Sequence, residues 1–132
     1  MRGSMRILVA EDDEIIRNLL GNWLTMQGHA ALLAKDGLEG ILVFNEQKPD
    51  LVITDCWMPK VNGGTLTHHV KCQDQNTPVI MLTGFSERFT RAEAERIGAN
   101  EYLQKPVELA QLKQIIDMHD RYYATIPPAQ TL

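Results

Sequence analysis

The feature that most constrains this chain is an alternation between two hydrophobic periods. Five short apolar runs, Arg6 to Ala10, Ala30 to Ala34, Asp50 to Thr54, Pro78 to Leu82 and Glu101 to Leu103, are each followed by a longer segment of helical spacing. The run Pro78-Val79-Ile80-Met81-Leu82 has no polar alternation, as expected of a strand buried on both faces. Ile15, Ile16, Leu19, Leu20, Trp23 and Leu24 recur at three- and four-residue intervals, and Gly28 ends that helix. Gly37 to Glu46 is expected to be helical with Leu38, Ile41 and Leu42 inward, and Gly64 to Gln73 follows as a third helix. Ser86 to Ile97 is a fourth, with Ser86 as N-cap and Gly98 as its stop. Pro106 is expected to open a last helix carrying Leu109, Leu112, Ile115 and Ile116 inward. Strands alternating with helices in this way give a doubly wound α/β fold, a parallel sheet covered on both faces. Right-handed crossovers restrict its topology, and ligands bind beyond the carboxyl ends of the strands.

At 132 residues the chain suits one domain with its own core. A net charge of −4 and a pI near 5.5 argue against direct binding of nucleic acid. Cys56 and Cys72 lack the spacing of a CxxC pair or metal knuckle and read as reduced thiols, compatible with a cytoplasmic location. No apolar run approaches the ~20 residues of a membrane span. Met1 to Ser4 reads as a vector-derived leader, residues 5–123 as the folded domain, and 124–132 as a flexible tail or the start of a linker.

The strand ends carry the chemistry. The first strand runs into Glu11-Asp12-Asp13-Glu14, the third into Asp55 and the fourth into Thr83, and Lys105 follows the fifth. Singly, each has a plain structural explanation. Acids that open a helix complement its dipole, Asp55 or Thr83 could cap a turn, and a lone lysine is usually solvated. In a parallel sheet, however, these ends share one edge. Two carboxylates ~5 Å apart repel by about 3 kcal/mol at an effective dielectric of 20, so three at one edge are not there for stability. Oxygen-only ligands suit Mg²⁺. With the cation in place, Asp55 can act as a nucleophile toward a phosphoryl group, while Thr83 and Lys105 meet the phosphoryl oxygens.

In order and spacing, ILVAEDDEIIR, LVITDCWMP with VNGG, VIMLTG and EYLQKP resemble the receiver domain of bacterial two-component response regulators over about Met5 to Tyr123. The resemblance implies a CheY-like (βα)5 flavodoxin-like sandwich with strand order 2-1-3-4-5, and a phosphoacceptor switch rather than an enzyme in the ordinary sense. It implies Asp55 as phosphoacceptor, with Mg²⁺ held by Glu11, Asp12, Asp55 and the main-chain carbonyl of Trp57. It further implies Thr83 and Lys105 on the phosphoryl group, Thr83 and Tyr102 as the switch pair, and a cis Lys105-Pro106 bond. The donor would be a sensor histidine kinase or a phosphotransfer protein, and the responding surface would be helix four, strand five and helix five. An alternative is the receiver module of a hybrid histidine kinase or phosphorelay that passes the group onward. This chain departs from the common pattern at Trp57, Gly84 and Phe85. Its last helix also lacks the arginine-rich face of receivers that dimerise on DNA.

Two competing readings fit less well. A Mg²⁺-dependent phosphatase with an aspartyl nucleophile usually has a second acid two residues later, where Trp57 stands. A pseudo-receiver used only for docking would have lost an acid or the lysine. His68-His69 reads as an exposed and a half-buried neutral pair, Trp23 as core, Cys56 as a small buried residue, and Glu87 to Arg96 as a solvated helix face.

Overall fold

A computed structural model of the chain describes residues 4–84 and 90–120. The elements are β1 (Arg6–Ala10), α1 (Glu14–Met26), β2 (Ala30–Ala34), α2 (Gly37–Gln47), β3 (Leu51–Asp55), α3 (Gly63–Gln73), β4 (Val79–Thr83), α4 (Arg91–Ile97), β5 (Glu101–Gln104) and α5 (Leu109–His119). All strand pairs are parallel, and the sheet order is β2-β1-β3-β4-β5, the doubly wound flavodoxin-like arrangement. No helix among the described residues is long and apolar enough to cross a membrane.

Side-chain alternation divides the interior into two layers. Ile7, Val9, Leu51, Ile53, Ile80 and Leu82 point to the side covered by α1 and α5, where Leu20, Leu24, Leu112 and Ile116 close over them. Leu8, Ala10, Val52, Val79 and Met81 point to the side of α2, α3 and α4, against Phe44, Leu66, Val70 and Ala94. Every residue of β3 and β4 is buried, which is why these strands read as unbroken apolar runs.

Three helices differ from the sequence expectation. In α2, Leu38 and Leu42 are exposed, at 43% and 58%, and the inward face is Gly37, Gly40 and Phe44 with Ile41 beside them. A Cβ on Gly37 would lie 1.8 Å from the Val61 carbonyl oxygen, so this face is set by close backbone approach, which hydrophobic periodicity does not register. The fourth helix begins at Arg91, not near residue 86, because Thr90 and Glu93 form a reciprocal capping box there. The proposed Ser86 cap lies outside the described residues. Gly98 ends α4 in the left-handed conformation (φ 115°), as expected. The Lys105-Pro106 bond is cis. Pro106 does not open α5, whose N-cap is Glu108 and whose first residue is Leu109.

Candidate functional site

Parallel register aligns the chemistry at the carboxyl edge of the sheet. Ala10 pairs with Thr54, so Glu11 and Asp55 leave adjacent strands at the same level. Thr83 pairs with Gln104, and the Lys105 N–H donates to the Thr83 carbonyl at 2.7 Å, bringing the lysine to the same edge. One carboxylate oxygen each from Glu11, Asp12 and Asp55 lies within 4.8 Å of the others. Lys105 Nζ sits 2.9 Å from Asp55 Oδ1 and 3.2 Å from Glu11 Oε1. Glu11 and Asp55 are buried, and Asp12 is exposed at the mouth.

The electrostatics are unbalanced. Burial, reinforced by the Asp55 charge, raises the Glu11 carboxyl from 4.5 to about 7, against the Asp13 N–H and the Lys105 ammonium that lower it. For Lys105, burial favours the neutral form, but the hydrogen bond and charge of Asp55, with those of Glu11, outweigh it and raise its pKa. Glu11 Oε1 is fully buried and has no hydrogen bond of full geometry, only the ion pair with Lys105. A compact set of three carboxylates with one such oxygen fits a hard divalent cation.

Asp13 serves the structure: its side chain accepts the Ile16 N–H as the N-cap of α1, and Glu14 lies in the first turn. The Thr83 hydroxyl donates to the Gly84 carbonyl at 3.2 Å. Tyr102 is half-buried against the core, with the Arg91 guanidinium 5.4 Å from its ring centroid and Arg91 Nη2 donating to its carbonyl at 3.0 Å. Trp57 is 48% exposed, whereas Phe85 lies outside the described residues.

Two supporting residues escaped the sequence reading. Arg17 Nη1 donates to the Glu11 carbonyl at 2.9 Å and so braces the acidic turn from α1. Gly63 donates its N–H to the Cys56 carbonyl, and a Cβ there would fall 1.9 Å from the Asp55 carbonyl oxygen. The turn that carries Gly63 is therefore fixed by its close approach to the Asp55 backbone. Adjacent glycines were the available signal for Gly63. A guanidinium on a main-chain carbonyl leaves none.

The sequence profile of the response regulator receiver domain matches residues 7–117. The transcriptional regulatory protein RprY of Bacteroides fragilis is 37% identical over 112 residues, 85% of this chain and 48% of that protein. The crystal structure of a response regulator receiver domain protein from Clostridium thermocellum superposes with a TM-score of 0.84 at 32% identity, covering 90% of this chain and 96% of that one. The receiver domain of the sensor histidine kinase PA1611 from Pseudomonas aeruginosa superposes with a TM-score of 0.78 at 26% identity, covering 88% and 97%. It holds a magnesium ion in its active-site cleft. The chain spans between 24% and 49% of the length of the curated relatives it matches.

Proposed function

The chain belongs to the response regulator receiver domain family, a signalling rather than a conventionally enzymatic class, and from that premise we propose that Asp55 is its phosphoacceptor. The observation that carries this assignment is the ion pair of Asp55 Oδ1 with Lys105 at 2.9 Å inside the three-carboxylate cluster. Asp55 closes β3 and makes the shorter of the two Lys105 ion pairs, 2.9 Å against 3.2 Å for Glu11.

In the proposed reaction an Asp55 carboxylate oxygen attacks the phosphorus of a phosphohistidine on a kinase or phosphotransfer protein. The P–O bond forms as the P–N bond breaks, and the donor imidazole leaves with the electron pair. Lys105 remains beside the acceptor and offsets the charge of the incoming group. Glu11, Asp12, Asp55 and the Trp57 carbonyl are the residues that would hold Mg²⁺, which would supply further charge neutralisation and orient the phosphoryl oxygens. The Thr83 hydroxyl turns from the Gly84 carbonyl to a phosphoryl oxygen, and Tyr102 follows it inward, altering the surface of α4, β5 and α5. Arg91, which holds both the ring and the carbonyl of Tyr102, sits where that movement would be felt. We take the signalling unit to run from Met5 to about Tyr123, with output supplied by a partner or by further chain.

Incubation with acetyl phosphate and Mg²⁺, read by intact-mass spectrometry, tests the assignment. The expected result is one phosphoryl adduct in the wild type and none in Asp55→Asn. An adduct of equal yield in the variant would place the acceptor elsewhere.

A further inference from the structure

A second group of ligating side chains lies away from the phosphorylation edge, on the outer face of α3. Leu66, Thr67 and Val70 bury one side of this helix, leaving His68 and Cys72 exposed one turn apart on the other. Cys72 Sγ and His68 Nε2 are 3.5 Å apart and line an open cleft of about 630 Å³ together with Lys71, Gln75 and Asn100. Cysteine-to-cysteine spacing gave no metal pattern, but His-x-x-x-Cys on one helical face is a ligand spacing of the same kind as paired histidines at i and i+4.

The separation is informative. A tetrahedral ion with Zn–S of about 2.3 Å and Zn–N of about 2.0–2.1 Å holds its sulfur and nitrogen about 3.5 Å apart. The pair therefore already has the bite of a zinc site on a helix capped by Asn62 and packed on the sheet. The neighbouring Lys71 ammonium is directed elsewhere, donating to the Thr77 carbonyl at 2.7 Å, Asn100 Oδ1 at 2.8 Å and the Gln75 carbonyl at 3.3 Å. Two ligands make only half a tetrahedral site, and no third His, Cys or carboxylate joins them among the described residues.

We propose that His68 and Cys72 form a half-site for a thiophilic divalent cation such as Zn²⁺, completed by the same pair from a second copy of the chain. The ion then has a Cys₂His₂ shell around a two-fold axis. Each Cys72 gives up its thiol proton as its sulfur bonds the metal, so two protons leave per ion bound, and each His68 binds through the Nε2 lone pair with its proton on Nδ1. Thiolate and imidazole favour Zn²⁺ over Mg²⁺, opposite to the preference of the all-oxygen cluster at Asp55, so the two ions partition between the two ends of the molecule.

The test uses the full chain in a phosphine reductant, with Mg²⁺ in excess to keep the acidic cluster filled and Co²⁺ as the spectroscopic probe. The expected result is thiolate-to-cobalt charge-transfer absorption saturating at one ion per two chains, a doubling of mass in sedimentation, and reversal by EDTA. Cys72→Ser should abolish the charge-transfer absorption. Both Cys72→Ser and His68→Ala should weaken Zn²⁺ binding by at least about tenfold and remain monomeric, while accepting a phosphoryl group at the wild-type rate. Cobalt binding without charge transfer, charge transfer that survives Cys72→Ser, or saturation at one ion per monomeric chain would overturn the proposal.

Discussion

Lys105 and Lys71 are both partly buried and both tie loops together, yet their proton equilibria move in opposite directions. Lys71 lies toward the amino edge of the sheet and donates to Thr77 and Gln75 carbonyls and the Asn100 side chain. Its oxygens are formally neutral, so burial dominates and lowers its pKa, with only a partial opposing effect from Asp74. Lys105 lies at the carboxyl edge between Asp55 and Glu11, and their charge raises its pKa despite burial. The amino edge is a satisfied hydrogen-bond network. The carboxyl edge has three carboxylates about one ammonium and holds Glu11 near 7, the electrostatic surplus expected where a cation and a phosphoryl group are to be received.

The sharpest way to break this comparison is to remove each ammonium in turn. Lys105→Met is expected to lose phosphoryl transfer and, without metal at pH about 8, to destabilise the fold by about 3–5 kcal/mol because two buried carboxylates lose their partner. That loss should shrink at pH about 5.5, where Glu11 is mostly protonated. Lys71→Met should cost about 1–3 kcal/mol through unpaired carbonyls, show little pH dependence over the same range, and leave phosphorylation intact. Urea titrations at the two pH values, with acetyl phosphate labelling, measure both. Equal pH dependence in the two variants would show that the carboxyl edge carries no special strain.

Next in size is the response to Mg²⁺. Binding to the native state alone at a hundredfold excess over Kd stabilises by about 2.7 kcal/mol. The thermal midpoint of the wild type should rise accordingly, and that of Lys71→Met should rise in parallel. Asp12→Ala should lose the rise, because Asp12 is the exposed member of the three-carboxylate set. An undiminished rise in Asp12→Ala would locate the ion away from that edge.

A separate effect, in the metal-free protein, follows from Glu11 itself. Its folded-state pKa lies above the ordinary value, so the native state binds the extra proton more tightly than the unfolded chain. That contribution is complete below pH about 4.5 and is lost as pH rises through about 7, at up to about 1.4 kcal/mol per unit. The difference in metal-free stability between the wild type and Glu11→Gln should therefore change across this window and be flat above it. A difference that stays constant from pH about 5 to 8 would contradict the raised value.

The strands were legible in the sequence: β1 and β2 fall where the apolar runs put them, although only Ala34 of β2 is buried. Strands β3 and β4 were placed to within a residue because a fully buried parallel strand tolerates little but apolar side chains. The site was legible for the same reason: Asp55 stands out against Leu51-Val52-Ile53, and strand topology alone brings Glu11 and Lys105 to it. Helix faces set by backbone contact were not legible. Gly37 and Gly40 turn α2 inward without any hydrophobic signal, so Leu38 and Leu42 were assigned to the wrong side. Ser86 and Thr90 are both hydroxyl N-cap candidates with an acid in the turn that follows, and only the reciprocal Thr90–Glu93 hydrogen bonds distinguish the cap of α4. Arg17 acts on main-chain carbonyls, an interaction independent of the identity of the residue it holds.

The smallest expected change in stability, and the most specific to this chain, concerns Trp57. The Asp55 side chain is only 5% exposed, so water reaches a phosphoryl group there through a narrow mouth. Hydrolysis of an acyl phosphate needs a water in line with the bond being broken. Trp57 lies two residues beyond Asp55 and is 48% exposed. A ring placed over that mouth would displace the water while leaving the contacts of Lys105 and the carboxylates in place. Trp57→Asn and Trp57→Ala should therefore shorten the lifetime of phosphorylated Asp55 several-fold, up to about tenfold, which corresponds to about 1.4 kcal/mol in the barrier. Because the ring is half-exposed, unfolding stability should change by only about 0.5 kcal/mol, so the kinetic effect is separable from damage to the fold. The measurement is the first-order loss of phosphoryl label with Mg²⁺ present, beside a urea midpoint for each variant. Lifetimes equal to wild type in both would mean that the ring does not shield the bond, and that its exposed face is there for a partner.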